Sequence, residues 1–279
     1  MTVGIIGPGR AGLGLALALR RAGVPVLGVH GRRKKTVPRG LALSVGGMPP
    51  WLPEARVVLL AVRDGSLRPL VNQLLQAGAL RPGQVFLHLS GALTVTVLRR
   101  LGSRGAVVGS MHPLMTVSAD PRRAAGHFRG AAFALEGERG AVHAGRRLAR
   151  ALGALPVEIR PGQRARYHAG AVFASNYVVT ALDAAQRLLV SAGFTERAAR
   201  QALAPLTAAS VENEAAHGPA AALTGPIVRG DAATVRRHLA ALDPATRALY
   251  AALGRATLVL ARSAGLSAAD AQRMRRVLG

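Results

Sequence analysis

Gly7-Pro8-Gly9-Arg10-Ala11-Gly12 is a segment built for one kind of chemistry, the binding of phosphate by backbone amides. It follows a short β-rich apolar run and opens a stretch with Leu and Ala at helical spacing, the context that gives G-x-G-x-x-G its value. Gly7 permits the tight turn, Gly9 lets the backbone approach a pyrophosphate, and Gly12 lets the helix pack on the strand. The helix start then offers unpaired N–H groups and its positive end to the anion. No Lys-Ser or Lys-Thr follows the glycines, so a P-loop for nucleoside triphosphates is excluded.

The end of the next apolar run chooses between dinucleotides. An acidic residue there binds free ribose hydroxyls. This chain has His30-Gly31-Arg32-Arg33-Lys34-Lys35, and its first acidic residue is Glu54. Guanidinium groups suit a 2′-phosphate, so NADP is predicted over NAD, with Arg32 the first contact and Arg33 the second. The alternative is that these cations belong to a general excess of Arg.

Three further groups lie where a parallel sheet gathers its ligands, beyond the carboxyl ends of strands. Val62, Arg63 and Asp64 end one apolar run, and Asp64 can equally cap the helix after it. Ser90, Gly91 and Ala92 end another and are expected beside the nicotinamide, unless they form a simple turn. His112-Pro113-Leu114 ends a third. His112, held in a rigid loop, can donate a proton or hold a substrate oxygen, or serve as a hydrogen-bonded structural histidine. Farther on, His168, Ser175 and Asn176 lie seven and eight residues apart, on one helical face. Thr224 and Arg229 sit in a Gly/Pro-punctuated loop before Asp231. Asp231 reads as a helix cap, and Arg229 binds a carboxylate or pairs with that cap.

These groups need a scaffold, and the pattern supplies one. Strands are expected over 3–6, 24–30, 57–62, 84–89, 106–110, 131–135 and 157–159, alternating with helical stretches. Continuous apolar runs such as Val57-Val58-Leu59-Leu60-Ala61-Val62 are the kind parallel sheets bury on both faces. The fold class is therefore α/β, a doubly wound, mostly parallel sheet over 1–160 followed by an all-helical domain over 161–279. One helix is expected over 164–192. Thr195, Asp231, Asp243 and Ser267 are expected to cap the later ones, with Pro205 kinking the first of these. Residues 37–53, rich in Gly and Pro, read as a surface excursion.

Composition narrows the partners. There are no cysteines, which excludes disulfides and thiolate chemistry. The eight histidines are dispersed without metal-ligand spacing, so no metal is expected. No serine-hydrolase elbow occurs. The most apolar stretch, 171–190, carries Asn176, Asp183, Gln186 and Arg187, and the N-terminus lacks a secretion signal, so no membrane role is expected and a cytoplasmic chain is. Thirty-seven basic residues face 13 acidic ones, a net charge of +24. That field attracts polyanions, but no aromatic residues interleave with the arginines, so nucleic acid is not the expected partner.

The chain resembles the Rossmann-like oxidoreductases with an uncharacterised helical C-terminal domain, allied to pyrroline-5-carboxylate reductase and the β-hydroxyacid dehydrogenases. Gly7 to Gly12, Leu89-Ser90-Gly91-Ala92, His112-Pro113-Leu114, His168 with Ala174-Ser175-Asn176-Tyr177, and the segment from Ala222-Leu223-Thr224-Gly225-Pro226-Ile227 to Arg229-Gly230-Asp231 carry the resemblance. It implies NADP and a homodimer joined through the helical domain. It implies no substrate. The catalytic Lys of the β-hydroxyacid dehydrogenases has no counterpart, since no Lys follows Lys35, and the imine site of pyrroline-5-carboxylate reductase is replaced by Ala-Ser-Asn-Tyr. The expected chemistry is hydride transfer between NADPH and a small C=O or C=N compound held between the sheet rim and the helical domain. His112 or His168 is the expected proton donor, and Ser175, Asn176 and Thr224 orient the substrate. The rival expectation is a dinucleotide-binding sensor or scaffold without catalysis.

Overall fold

The computed structural model describes all residues, 1–279. The chain folds as two compact units, Met1–Asn176 and Tyr177–Gly279. The first holds one sheet of eight strands: β1 (Val3–Ile6), β2 (Val26–Gly31), β3 (Leu43–Val45), β4 (Val57–Leu60), β5 (Val85–His88), β6 (Val107–Leu114), β7 (Ala132–Gly137) and β8 (Leu155–Glu158). Their spatial order is β3-β2-β1-β4-β5-β6-β7-β8. All neighbours pair in parallel except β6 and β7. Helices α1 (Arg10–Arg21), α2 (Asp64–Gln76), α3 (Arg99–Gly102), α4 (Pro121–His127), α5 (Arg139–Ala151) and α6 (Arg164–Val172) complete it. The second unit is helical: α7 (Val178–Ser191), α8 (Glu196–His217), α9 (Pro219–Ala222), α10 (Ala232–Ala241), α11 (Pro244–Ser263) and α12 (Ala268–Leu278). No helix is long and apolar enough to cross a membrane.

The pattern of burial explains the layers. β1 and β4 are buried at every residue, as strands covered on both faces must be. One apolar layer joins Leu13, Leu15 and Leu19 of α1 to Val142 and Leu148 of α5. The opposite layer joins Leu67, Val71 and Leu74 of α2 to Leu101 of α3. Because strand order runs outward in both directions from β1 and β4, the crevice that such sheets use for ligands lies at their carboxyl ends.

The structure differs from the sequence expectation in four places. Residues 37–53 are not merely a surface excursion: they supply edge strand β3 and the buried Trp51, which packs against Gly4 and Gly28. His112-Pro113-Leu114 is not a loop after a strand but the end of β6, because antiparallel β7 keeps pairing with it to Leu114 after parallel β5 has ended. The expected single helix over 164–192 is interrupted by a π-helical turn, Phe173–Tyr177. There the Ser175 hydroxyl donates to Ala171 O, a local bond that competes with the regular ladder. Finally, secondary structure changes character near Pro161, but compactness divides the chain later, because α6 packs with the sheet.

The caps follow the expected chemistry. Thr195 accepts from Ala198 N, Asp231 from Thr234 N, Asp243 from Ala245 N and Thr246 N, and Ser267 from Asp270 N. α8 runs on through Pro205.

Candidate active site

The glycine loop expected to bind phosphate follows β1. Gly7 has φ +115°, a backbone that only glycine adopts readily, and its N–H donates to His30 O at 2.8 Å. A Cβ on Gly7 would stand 2.3 Å from Ala61 O, so this residue and the end of β4 are pressed together. A Cβ on Gly12 would stand 2.0 Å from Gly7 O. Gly9 is different. It is the N-cap of α1, has no side chain to cap the helix, and a Cβ there would meet only Ala61 O at 4.0 Å. Nothing in the protein requires glycine at this position. The amides of the first turn beside it have no side-chain cap. Pro8, Arg10 and Ala11 complete the loop, and Lys35 Nζ donates to Pro8 O at 3.0 Å, which draws the basic segment after β2 over it. Arg32 and Arg33 are exposed there, and neither forms an ion pair. His30 is buried, with its pKa lowered by that burial, and its Nδ1 lies 3.0 Å from Ser44 Oγ.

Val62 is half-buried beside Gly7, with its backbone N 3.1 Å from where a Gly7 Cβ would be. Arg63 and Asp64 are exposed at the start of α2. Asp64 does not cap that helix through its side chain; its charge instead favours the protonated form of His112. Ser90 is buried and its Oγ accepts from Leu93 N at 3.0 Å, so its hydroxyl is engaged in the turn after β5.

Gly91 carries the two histidines that the sequence singles out. A Cβ there would lie 2.7 Å from His168 Nδ1 and 2.8 Å from His112 Nε2. The two imidazoles meet edge to face, 6.1 Å between centroids. His112 Nδ1 lies 2.6 Å from the Tyr167 hydroxyl. Burial first, and the Arg164 guanidinium next, hold the His112 pKa at about 4, so the ring is neutral at pH 7. Burial likewise pushes the Tyr167 hydroxyl up to about 12, against the pull of Arg164.

Sequence reasoning missed what holds this pair. Arg164, Tyr167 and His168 share one face of α6 by their i, i+3, i+4 spacing, and that spacing was the available signal. Arg164 is 2% exposed. Its Nε donates to Leu93 O at 3.1 Å and stands 3.1 Å from Glu136 Oε2 of β7, and its Nη2 donates to Ser110 Oγ of β6. Its guanidinium lies 5.9 Å from the centre of the Tyr167 ring. A buried ion pair of this kind fixes geometry more than it adds stability, since desolvation offsets the attraction. His88, at the end of β5, is fully buried beside this cluster, and neither ring nitrogen has a hydrogen-bond partner.

The remaining expected site residues lie on other segments, Ser175 and Asn176 at the end of the first unit and Thr224 in the second. The Ser175 hydroxyl donates to Ala171 O and to Asn176 Oδ1, inside the π-helical turn. That turn also breaks the regular spacing on which the shared face with His168 was argued. Thr224 is exposed in the second unit, on the loop over 223–231. Asp231 there is a cap whose pKa is drawn down by Thr234, with Arg229 a minor contributor, so Arg229 lies within electrostatic range of it.

A glycine turn pressed against the switch point of a parallel sheet, opening a helix with uncapped amides, defines a Rossmann-like domain. Comparison agrees: residues 1–113 match the model of a Rossmann-like domain, and residues 131–257 match that of DUF2520, a domain of unknown function. The chain combines the two. Among solved structures it is similar to BF3122 of Bacteroides fragilis, a proposed NADP oxidoreductase, at 23% identity over 91% of this chain and 96% of that one, TM-score 0.71. It is similar to TM1727 of Thermotoga maritima at 20% identity over 94% and 98%, TM-score 0.70. It is similar to the Plasmodium falciparum pyrroline carboxylate reductase, solved with NADP bound, at 13% identity over 100% and 98%, TM-score 0.59. Likeness at these identities establishes the fold. No curated protein matches the chain.

Proposed function

We propose that this protein is an NADP-dependent oxidoreductase that transfers a hydride between the nicotinamide and a small C=O or C=N compound. The observation that carries the proposal is Gly9, a glycine that no protein contact demands, at an uncapped helix start. The donor set fits the group: amides of the first turn of α1 hold the pyrophosphate, and Arg32 with Arg33 holds the 2′-phosphate. NADPH supplies the hydride when bound. The chain's own part is to position the substrate on the sheet rim near Gly91 and to provide a proton from His112 or His168. Ser175, Asn176 and Thr224 remain candidates for substrate orientation.

The test is titration with NADPH and NADH, followed by a screen of carbonyl and imine compounds that reads NADPH absorbance. NADPH is expected to bind more tightly than NADH. Arg32→Ala removes a charge-assisted contact worth about 1.5–3 kcal/mol, so NADPH affinity is expected to fall roughly 10- to 100-fold with NADH affinity unchanged. Equal affinities of the parent protein for the two coenzymes would overturn the NADP assignment. NADPH that binds but is consumed with none of the compounds of a broad screen would favour a sensor.

The protein acts as a homodimer through α7 and α8. Of these two helices only Ala184 and Ala199 are buried, while Val179, Leu206 and Val211 are 67%, 64% and 58% exposed. Apolar helices of that length are stable when a second copy covers them. Light scattering on the eluted protein is expected to give twice 28.8 kDa, and Leu206→Arg combined with Val211→Arg to give the monomer. A parent protein that elutes as a monomer at micromolar concentration would sink this assignment.

A further inference from the structure

We propose that Tyr167 is a positioning residue that fixes His112 in the tautomer bearing its proton on Nε2, so that His112 presents a neutral N–H donor over Gly91 to an acceptor atom of the bound compound. This rests on the oxidoreductase proposal for its purpose, but not for its geometry. The two ring nitrogens of His112 have different surroundings. Nδ1 faces the Tyr167 hydroxyl at 2.6 Å. Nε2 has no partner in the protein and is not sealed from solvent, as His168 Nδ1 is. The direction of the Tyr167 bond follows from counting protons. The hydroxyl has no other acceptor. If it donates to Nδ1, its proton is paired and the imidazole proton must sit on Nε2. If Nδ1–H donated instead, the half-buried hydroxyl would have no acceptor within the protein for its own proton.

Two features hold Tyr167 in that role. Its ring sits edge-on to His112, 5.7 Å between centroids, and over the Arg164 guanidinium. Arg164 is itself locked to Leu93, Ser110 and Glu136. The groups facing His112 are Arg164, His168, Asp64 and His88, and burial together with Arg164 keeps the ring neutral at pH 7. A neutral Nε2–H polarises a carbonyl oxygen or a neutral imine nitrogen and delivers its proton as the hydride arrives at carbon. Nδ1 takes up the compensating proton through the hydroxyl of Tyr167, which solvent restores. A protonated iminium already carries its proton and gains nothing from such a donor. The donor therefore selects acceptors that are neutral before reduction.

The tautomer is read directly by long-range ¹H–¹⁵N correlation spectra of the full chain labelled with [¹⁵N]histidine, with His112→Asn assigning the signals. At pH 7 His112 is expected to show a protonated Nε2 and an unprotonated Nδ1. Tyr167→Phe keeps the ring and removes only the bond, and it is expected to convert this pattern into a mixture of both tautomers. A parent spectrum with the proton on Nδ1, or with both nitrogens protonated, would overturn the proposal. So would a Tyr167→Phe spectrum unchanged at His112. NADPH titration of the same sample separates the two claims: failure to bind NADPH removes the oxidoreductase proposal and leaves the tautomer result standing.

Discussion

A Gly9→Ala protein is expected to fold as the parent does and to lose NADPH. The added methyl meets nothing nearer than Ala61 O at 4.0 Å, and the backbone at φ −81°, ψ −175° is one that alanine adopts freely. Its effect on stability is that of a poorer N-cap, about 1 kcal/mol or less. In the proposed binding mode the same methyl would stand between the first-turn amides and the pyrophosphate. NADPH affinity is expected to fall at least tenfold, about 1.4 kcal/mol or more. Gly12→Ala is the contrasting case. Its methyl would stand 2.0 Å from Gly7 O and 3.1 Å from the Ala61 methyl, so the helix must move away from β1. Overpacking of that kind costs about 1–3 kcal/mol, and this variant is expected to lose melting temperature and NADPH together. Thermal melts and fluorescence titration with NADPH on both proteins check the pair. A Gly9→Ala protein that binds NADPH like the parent would place the phosphates elsewhere and remove the basis for the cofactor assignment.

The glycine turn before α1 was legible because its cause is local. The turn, the helix start and the two close approaches are all dictated by three glycines within six residues, and the strands beside them are continuous apolar runs. The helix caps were legible for the same reason, since a Ser, Thr or Asp bonds to an amide two or three residues on. The misses share the opposite property. β6 runs to Leu114 only because β7, some twenty residues later, pairs antiparallel to it. Trp51 is core only because β1 and β2 present bare backbone at Gly4 and Gly28. Arg164 read as one more member of a large arginine excess, and its burial depends on Ser110, Glu136 and the Leu93 carbonyl arriving from three other segments. Composition hid the one buried arginine. The histidine pair was half legible: His112 and His168 were each singled out, but Gly91 as the point on which both converge needed the fold.

The protein is expected to lose stability steeply between pH 6.5 and pH 4, and His88 is the main reason. Its ring is fully buried at the end of β5, and neither nitrogen has a partner; the Thr94 backbone lies near but outside hydrogen-bond geometry. Burial first, and the neighbouring Arg164 next, lower its pKa from 6.5 to about 4. The native state therefore resists a proton that the unfolded chain accepts. Above pH 6.5 both states are neutral and there is no penalty. As pH falls through that value the unfolded state is protonated first, and the penalty on the native state grows until the pH passes about 4. At pH 4 a shift of this size amounts to about 3 kcal/mol. His112 is lowered to about 4 for the same leading reason, but it reaches solvent and its share is smaller. Urea titrations followed by the fluorescence of Trp51, the single tryptophan and a core residue of the first unit, report the relevant transition. Between pH 7 and pH 4 the parent is expected to lose about 3 kcal/mol more than His88→Leu, in which carboxylates and His112 titrate as before. Parallel losses in the two proteins would mean that His88 is not held neutral in the native state. The consequence reaches the site, because a charge forced onto His88 sits against Arg164, and Arg164 is what seats Tyr167 beneath His112. Acid is thus expected to loosen the donor geometry in the same pH interval in which it destabilises the sheet.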